Sequence, residues 1–143
     1  MSQVAILYPV FVQVLLTLSV YCLLSLARFR AIAAAGRPAG KGDVAMGRYP
    51  WPDHALKLAN NQRNQFELPV LFYAAAAFAL MVSAADATMV TLAWAFAASR
   101  VVHAAIHIGP NRIRWRGPVF ALGFLIVAAM WAKLFLHVVV SPA

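Results

Sequence analysis

Charge is scarce in this chain, and acid is scarcer than base. Its 143 residues include four aspartates and glutamates against twelve lysines and arginines. Charged residues make up 11% and hydrophobic ones 64%, whereas a soluble domain carries about 25% and 45–50%. That balance excludes an ordinary water-soluble fold. One cysteine, Cys22, excludes an internal disulfide framework; set in an apolar run, it reads as a small packing residue. There is no glycine-rich phosphate loop, no serine or cysteine nucleophile with an evident histidine base, no fixed-period repeat and no low-complexity tract. The first residues, MSQVAILYPVF, lack the basic start of a leader peptide and no cleavage site closes a short apolar core. They read as a retained membrane helix. At this length a single domain, residues 1–143, is expected.

What is abundant is apolar sequence. Four segments, about 4–27, 53–84, 87–108 and 117–140, are long enough to cross a bilayer, which takes about 20 helical residues. Their alanine and leucine content, without ten-residue alternation, favours helices over a transmembrane barrel. The fold class is therefore an all-α integral membrane protein, a bundle of four transmembrane helices. The linker AGRPAGKGDVAMGRYPWPD, with three prolines and four glycines, reads as an irregular loop, Trp51 as an interfacial anchor, and Pro52-Asp53 as a helix start. A very short turn at 83–87 makes an antiparallel hairpin, and GPNRIRWRGP makes the last connection.

The net charge of +8 does not point to nucleic acid, because the basic residues gather in two loops that flank apolar runs. Arg28, Arg30, Arg37, Lys41, Arg48 and Lys57 lie in the first, and Arg112, Arg114 and Arg116 in the third, while the short turn has none. The positive-inside rule then places both basic loops in the cytoplasm and both termini on the other side.

Polar residues inside the apolar segments need a separate reason, since ions in lipid are costly. In NNQRNQFELPVLFY, helical spacing puts Asn60, Arg63, Asn64 and Glu67 on one face, with Arg63 and Glu67 placed to pair. In SRVVHAAIHIGPNRIRWRG, Arg100, His103 and His107 form a second stripe. These stripes either satisfy each other or surround a polar ligand. Gln13, Thr17 and Tyr21 make a weaker stripe that interhelical hydrogen bonds explain. Lys133 reads as a snorkelling side chain. His103, His107 and Glu67 make a possible metal set, which the neighbouring arginines oppose. With Arg28 and Arg114 or Arg116, the inventory suits a small anion that bears carboxylates and an amine: arginines for the carboxylates, Glu67 for the amine.

RNQFE followed by a proline, then RVVHAAIH ending in RWRG, resembles the MAPEG family, the integral membrane proteins of eicosanoid and glutathione metabolism. The likeness spans most of the chain. It implies a homotrimer of four-helix subunits binding glutathione between subunits near the cytoplasmic side. By position, Arg63, Asn64 and Glu67 match the family's glutathione-binding residues on the second helix. Arg28 matches a contact for a glutathione carboxylate, and Arg100 and His103 match the third-helix pair. Arg116 matches the arginine that stabilises the glutathione thiolate, with Arg114 as its competitor. The chain departs from the pattern at His107, where the prostaglandin- and leukotriene-forming enzymes have tyrosine, and at Asn60, a basic residue in some members.

The resemblance thus implies a transferase or peroxidase that uses glutathione on lipophilic electrophiles, with membrane lipids around it. A non-catalytic lipid-binding or scaffold protein of the same fold, or a structural subunit of a larger membrane assembly, is the alternative.

Overall fold

The computed structural model describes residues 2–35, 40, 43–44 and 47–140; Arg37 and Lys41 of the first basic loop lie outside them. All regular structure among the described residues is helical. A short 3-10 turn, Gln3–Ile6, leads into α1, Leu7–Ala34. Then come α2, Asp53–Asn64, and α3, Leu68–Met81, followed by α4, Ala87–Ile108, and α5, Ile113–Val140.

Three of these helices are long and apolar enough to cross a membrane: α1 with its leading turn, α4 and α5. The second expected span is instead two helices. Pro69 has no N–H to give the carbonyl of Gln65, and its ring would press against that carbonyl, so the helix ends at Asn64 and restarts at Leu68. Glu67, at φ −94° and ψ −98°, lies in the break. At 1.5 Å per residue, the 14 residues of α3 extend about 21 Å, short of a hydrocarbon core of about 30 Å.

Two other boundaries move. Helix α1 continues to Ala34, so Arg28 and Arg30 sit on its last turns rather than beyond it. Helix α5 begins at Ile113, so Arg114 and Arg116 are helical rather than in the connecting loop.

Helix α4 lies at the centre and packs most extensively on α5. At Gly123 the two approach closely: a Cβ there would lie 3.2 Å from Ser99 Oγ and 3.8 Å from Arg100 Cδ. The main core joins Phe72, Ala75 and Ala79 of α3 to Met89, Ala93 and Phe96 of α4 and Val127 and Met130 of α5. Phe72 stacks on Phe96 with ring centroids 4.5 Å apart. A smaller cluster at the other end joins Leu24 and Ala27 of α1 to Ala55 and Leu58 of α2, with Trp51 and Ile108 against it.

The expected hairpin connects α3 to α4. Ser83 takes a left-handed φ of 57°, and Ala84 N–H reaches Ala79 O at 2.7 Å while Ser83 N–H reaches Leu80 O, the hydrogen-bond pair of a Schellman turn. Asp86 caps α4 by accepting from Met89 N–H at 2.9 Å. Lys133 is paired: its Nζ lies 2.8 Å from Asp86 Oδ2. His137 contacts Val82 O and Gln3 donates to Ser83 O, so the outer ends of α1 and α5 both lie at the hairpin end of the bundle.

The Lys133 ammonium, and then the Met89 amide, hold the Asp86 carboxyl below the usual carboxylate range. A depressed folded-state pKa contributes stability above the ordinary value, about 3.9, and loses it as pH falls through the folded one. Asp86→Ala should therefore lower stability by about 1 kcal/mol, chiefly through the cap, and Asp86→Asn, which can still cap, by less. The wild-type advantage over Asp86→Asn should be full above about pH 4, decline as pH falls below that, and vanish only below the depressed folded-state pKa. Thermal unfolding in detergent across that range checks both statements.

Candidate functional site

The break before Pro69 creates the site. A helix end leaves carbonyls without partners, and the Asn64 carbonyl is taken by a side chain from another helix: Arg100 Nη2 donates to it at 3.1 Å. Arg100 is 1% exposed, so the charge that seals the end of α2 comes from inside the bundle. The Asn64 side chain turns the same way, its Nδ2 lying 3.3 Å from His107 Nδ1. An amide nitrogen only donates, so Nδ1 accepts and the neutral ring carries its proton on Nε2. His103 lies edge-on to His107 at 5.6 Å, and Phe120 of α5 lies beside both His103 and Arg100, each at 5.7 Å.

The expected stripe on α4 is therefore real: Arg100, His103 and His107 all face inward and are buried. The stripe on the second helix is only partly so. Asn64 joins the cluster, but Asn60, Arg63 and Glu67 are exposed, and no ion pair links Arg63 to Glu67 because the backbone leaves the helix between them. Glu67 remains within Coulombic reach of Arg100. Arg116 acts electrostatically on both His103 and His107, and its Nη1 donates to Asn111 Oδ1 at 2.7 Å. Arg114 instead lies over the ring of its neighbour Trp115 at 5.4 Å, and Arg28 over Trp51 at 5.0 Å. Among the described residues no group of three histidine, cysteine or acidic side chains is arranged to hold a metal.

A second buried network was not read from the sequence as a unit. Gln13 Nε2 of α1 donates to Gln65 Oε1 at 2.8 Å, and Gln65 Nε2 donates to Asn61 Oδ1 at 3.0 Å. All three are at most 1% exposed. It ties α1 to the break, and the signal for it was Gln13 set in an apolar span together with the i, i+4 pair Asn61 and Gln65. Thr17, from the same expected stripe, bonds back to its own helix at Gln13 O.

Several buried polar atoms here have no protein partner: Nε and Nη1 of Arg100, Nδ1 of His103, Oε1 of Gln13 and Nδ2 of Asn61. Native interiors leave few such atoms. Chemically, the arrangement offers a cationic, donor-rich wall that leads outward to one exposed carboxylate. A separate apolar crevice of about 310 Å³, lined by Phe78, Met81, Trp131 and Phe135 among others, lies at the hairpin end. It is remote from this chemistry and is not part of the site.

Compared with known proteins, the chain matches the model of the MAPEG family over residues 6–136. No match was found among curated proteins or among solved structures.

Replacing Arg100 by methionine separates structure from function. Breaking a well-paired buried ion costs about 3–5 kcal/mol, but Arg100 has two sealed nitrogens without partners, each a penalty of about 1–3 kcal/mol. Relief of that penalty offsets the lost bond to Asn64 O. The Arg100→Met protein should therefore unfold within about 1 kcal/mol of wild type, as measured in detergent by denaturant titration.

Proposed function

The chain belongs to the MAPEG family, and on that premise we propose that it is a glutathione-dependent membrane enzyme, a transferase or peroxidase acting on lipophilic electrophiles. One observation carries the reading. A buried guanidinium, Arg100, stands with two unpartnered nitrogens beside the break in the second span, surrounded by an excess of cationic groups over carboxylates. Such a wall has more positive charge and donors than folding needs, which is what an anionic tripeptide requires of its host. The residues present therefore fit glutathione. Arg28, Arg63 and Arg100 would meet its carboxylates, Glu67 its amine, and Asn64, His103 and His107 its amide groups. Bound there, glutathione supplies a sulfur nucleophile or reductant.

The chain's own residues would do the following. Arg116 favours the ionised sulfur over the thiol, as a cation beside a cysteine does. Its electrostatic action on His103 and His107 supports this choice over Arg114, which is stacked on Trp115. Asn64 holds the His107 ring so that Nε2–H is its remaining donor, the counterpart of the hydroxyl that a tyrosine would offer. The exposed position of Arg63 and Glu67 supports a site completed by a neighbouring subunit in a homotrimer. We further read α2 and α3 together as a fourth, broken crossing, since their 26 residues extend about 39 Å. Broken spans are tolerated where the freed backbone is satisfied within the protein, as Arg100 satisfies Asn64. A specific observation favours the non-catalytic alternative: His107 stands where the family's lipid-mediator enzymes have tyrosine.

Ultraviolet difference spectra of the purified protein, titrated with glutathione, test the reading through thiolate absorbance. Only a cation directed at the sulfur shifts the thiol's titration, so Arg116→Ala should abolish that absorbance while leaving affinity within about tenfold, roughly 1.4 kcal/mol. Arg114→Ala should keep both. Glutathione bound to wild type without a thiolate signal would favour the non-catalytic member instead.

Topology is tested separately. Nine basic residues in and beside the first and third connections, against none in the hairpin turn, support the reading that both termini lie opposite the cytoplasm. A reporter fused after Ala143 should be active only on the non-cytoplasmic side.

A further inference from the structure

We propose that the crevice between the end of α1 and the start of α2 binds the headgroup of an anionic glycerophospholipid, held by Arg30 and His54. The crevice has a volume of about 610 Å³, within the range of roughly 300–1,000 Å³ typical of small-molecule sites. Its lining is mostly apolar, from Ala31, Ala34, Pro50 and Pro52, and the residues with polar groups among its lining are Arg30, His54 and Tyr49. That is the lining a phosphodiester with hydrocarbon substituents needs: cation and donors for the phosphate, small apolar surfaces for the glycerol.

The walls are fixed in advance. Trp51 packs against the Leu24, Ala27, Ala55 and Leu58 cluster, the Tyr49 ring lies tilted against Trp51 at 4.5 Å, and Pro50 and Pro52 restrict the backbone on either side of Trp51. Arg28 lies over Trp51 and is not among the residues that line the crevice, whereas Arg30 is. Two carboxylates lie near. Asp53 precedes His54 on α2, and Asp43 accepts through its backbone carbonyl from the N–H groups of Arg48 and Tyr49.

Chemistry alone would admit a free phosphate; the surroundings select a lipid. Leu23, Leu26 and Arg30 fall at i, i+3 and i+7 and share one face of α1, and both leucines are exposed, at 48% and 45%. Acyl chains attached to a headgroup at Arg30 can therefore run down an apolar stripe into the bilayer. Tyrosine and tryptophan at this level are interfacial residues, and basic pockets beside membrane helices are the usual hosts of anionic headgroups.

Native mass spectrometry of the full chain in detergent, with equimolar phosphatidylglycerol and phosphatidylcholine of identical acyl chains, tests the assignment. Wild type should retain phosphatidylglycerol over phosphatidylcholine by about fivefold, the effect of roughly one basic residue at a membrane surface. Arg30→Gln combined with His54→Gln should abolish the preference. Arg30→Lys, which keeps the charge, should largely preserve it, as should Arg112→Gln in the other basic loop. The proposal is overturned if wild type shows no preference, if the double variant keeps it, or if Arg112→Gln removes it equally. Thermal unfolding with inorganic phosphate separates the two anion sources: phosphate that reproduces the whole stabilisation given by phosphatidylglycerol would assign the crevice to a soluble anion and overturn the lipid.

Discussion

A single hydrogen bond, from the buried guanidinium of Arg100 to the carbonyl of Asn64, connects most of what is distinctive in this molecule. Pro69 interrupts a helix where the chain is otherwise apolar, and an interrupted helix in such surroundings must find partners for its last carbonyls. Arg100 supplies one from the central helix. Once Asn64 is fixed in that way, its side chain reaches His107, and the residue after it, Gln65, reaches Gln13 on α1. Break, cluster and interhelical polar network are therefore one structure with a common cause.

The energetics argue that this structure is not kept for stability. A hydrogen bond to a charged group contributes about 1.5–3 kcal/mol net, while removing a guanidinium from water without full pairing costs several. The opposite end of the bundle shows what economical polar chemistry looks like in the same chain: Asp86 caps a helix and pairs with Lys133 in one exposed arrangement. Charges at the hairpin end are matched, whereas those around the break are in surplus. The asymmetry along the bundle axis is what places the proposed site.

Much of this was legible in the sequence. The bounds of α4 and the inward stripe of Arg100, His103 and His107 follow from period and apolarity, and the family is carried by RNQFE, RVVHAAIH and RWRG. What failed was extrapolation of period through a proline. Counting i, i+3, i+4 and i+7 from Asn60 to Glu67 assumes an unbroken helix; the break separates Glu67 from Arg63, and the buried positions of this stretch are Asn61 and Gln65. Hydropathy also cut α1 and α5 short at their arginines, because a helix that continues past the apolar run carries no apolar signal. The pairing of Lys133 with Asp86 was not legible, because the two lie 47 positions apart on different helices. Each miss is a case of tertiary context deciding what local pattern leaves open.

The close approach of α4 and α5 at Gly123 has a mechanical consequence. With Ser99 and Arg100 packed against a residue that has no side chain, the two helices leave little room between them at that level, and they are the most extensively packed pair in the bundle. The second span is built the opposite way: two short rods, α2 packed on α1 and α3 in the main core, meet at a joint of three residues held by a few polar bonds. Any widening of the bundle from the side would be taken up most readily at that joint, with α2 and the part of α1 it packs on turning together. The three residues of the joint, Gln65, Phe66 and Glu67, would then serve as both the wall of the site and the bearing on which it opens.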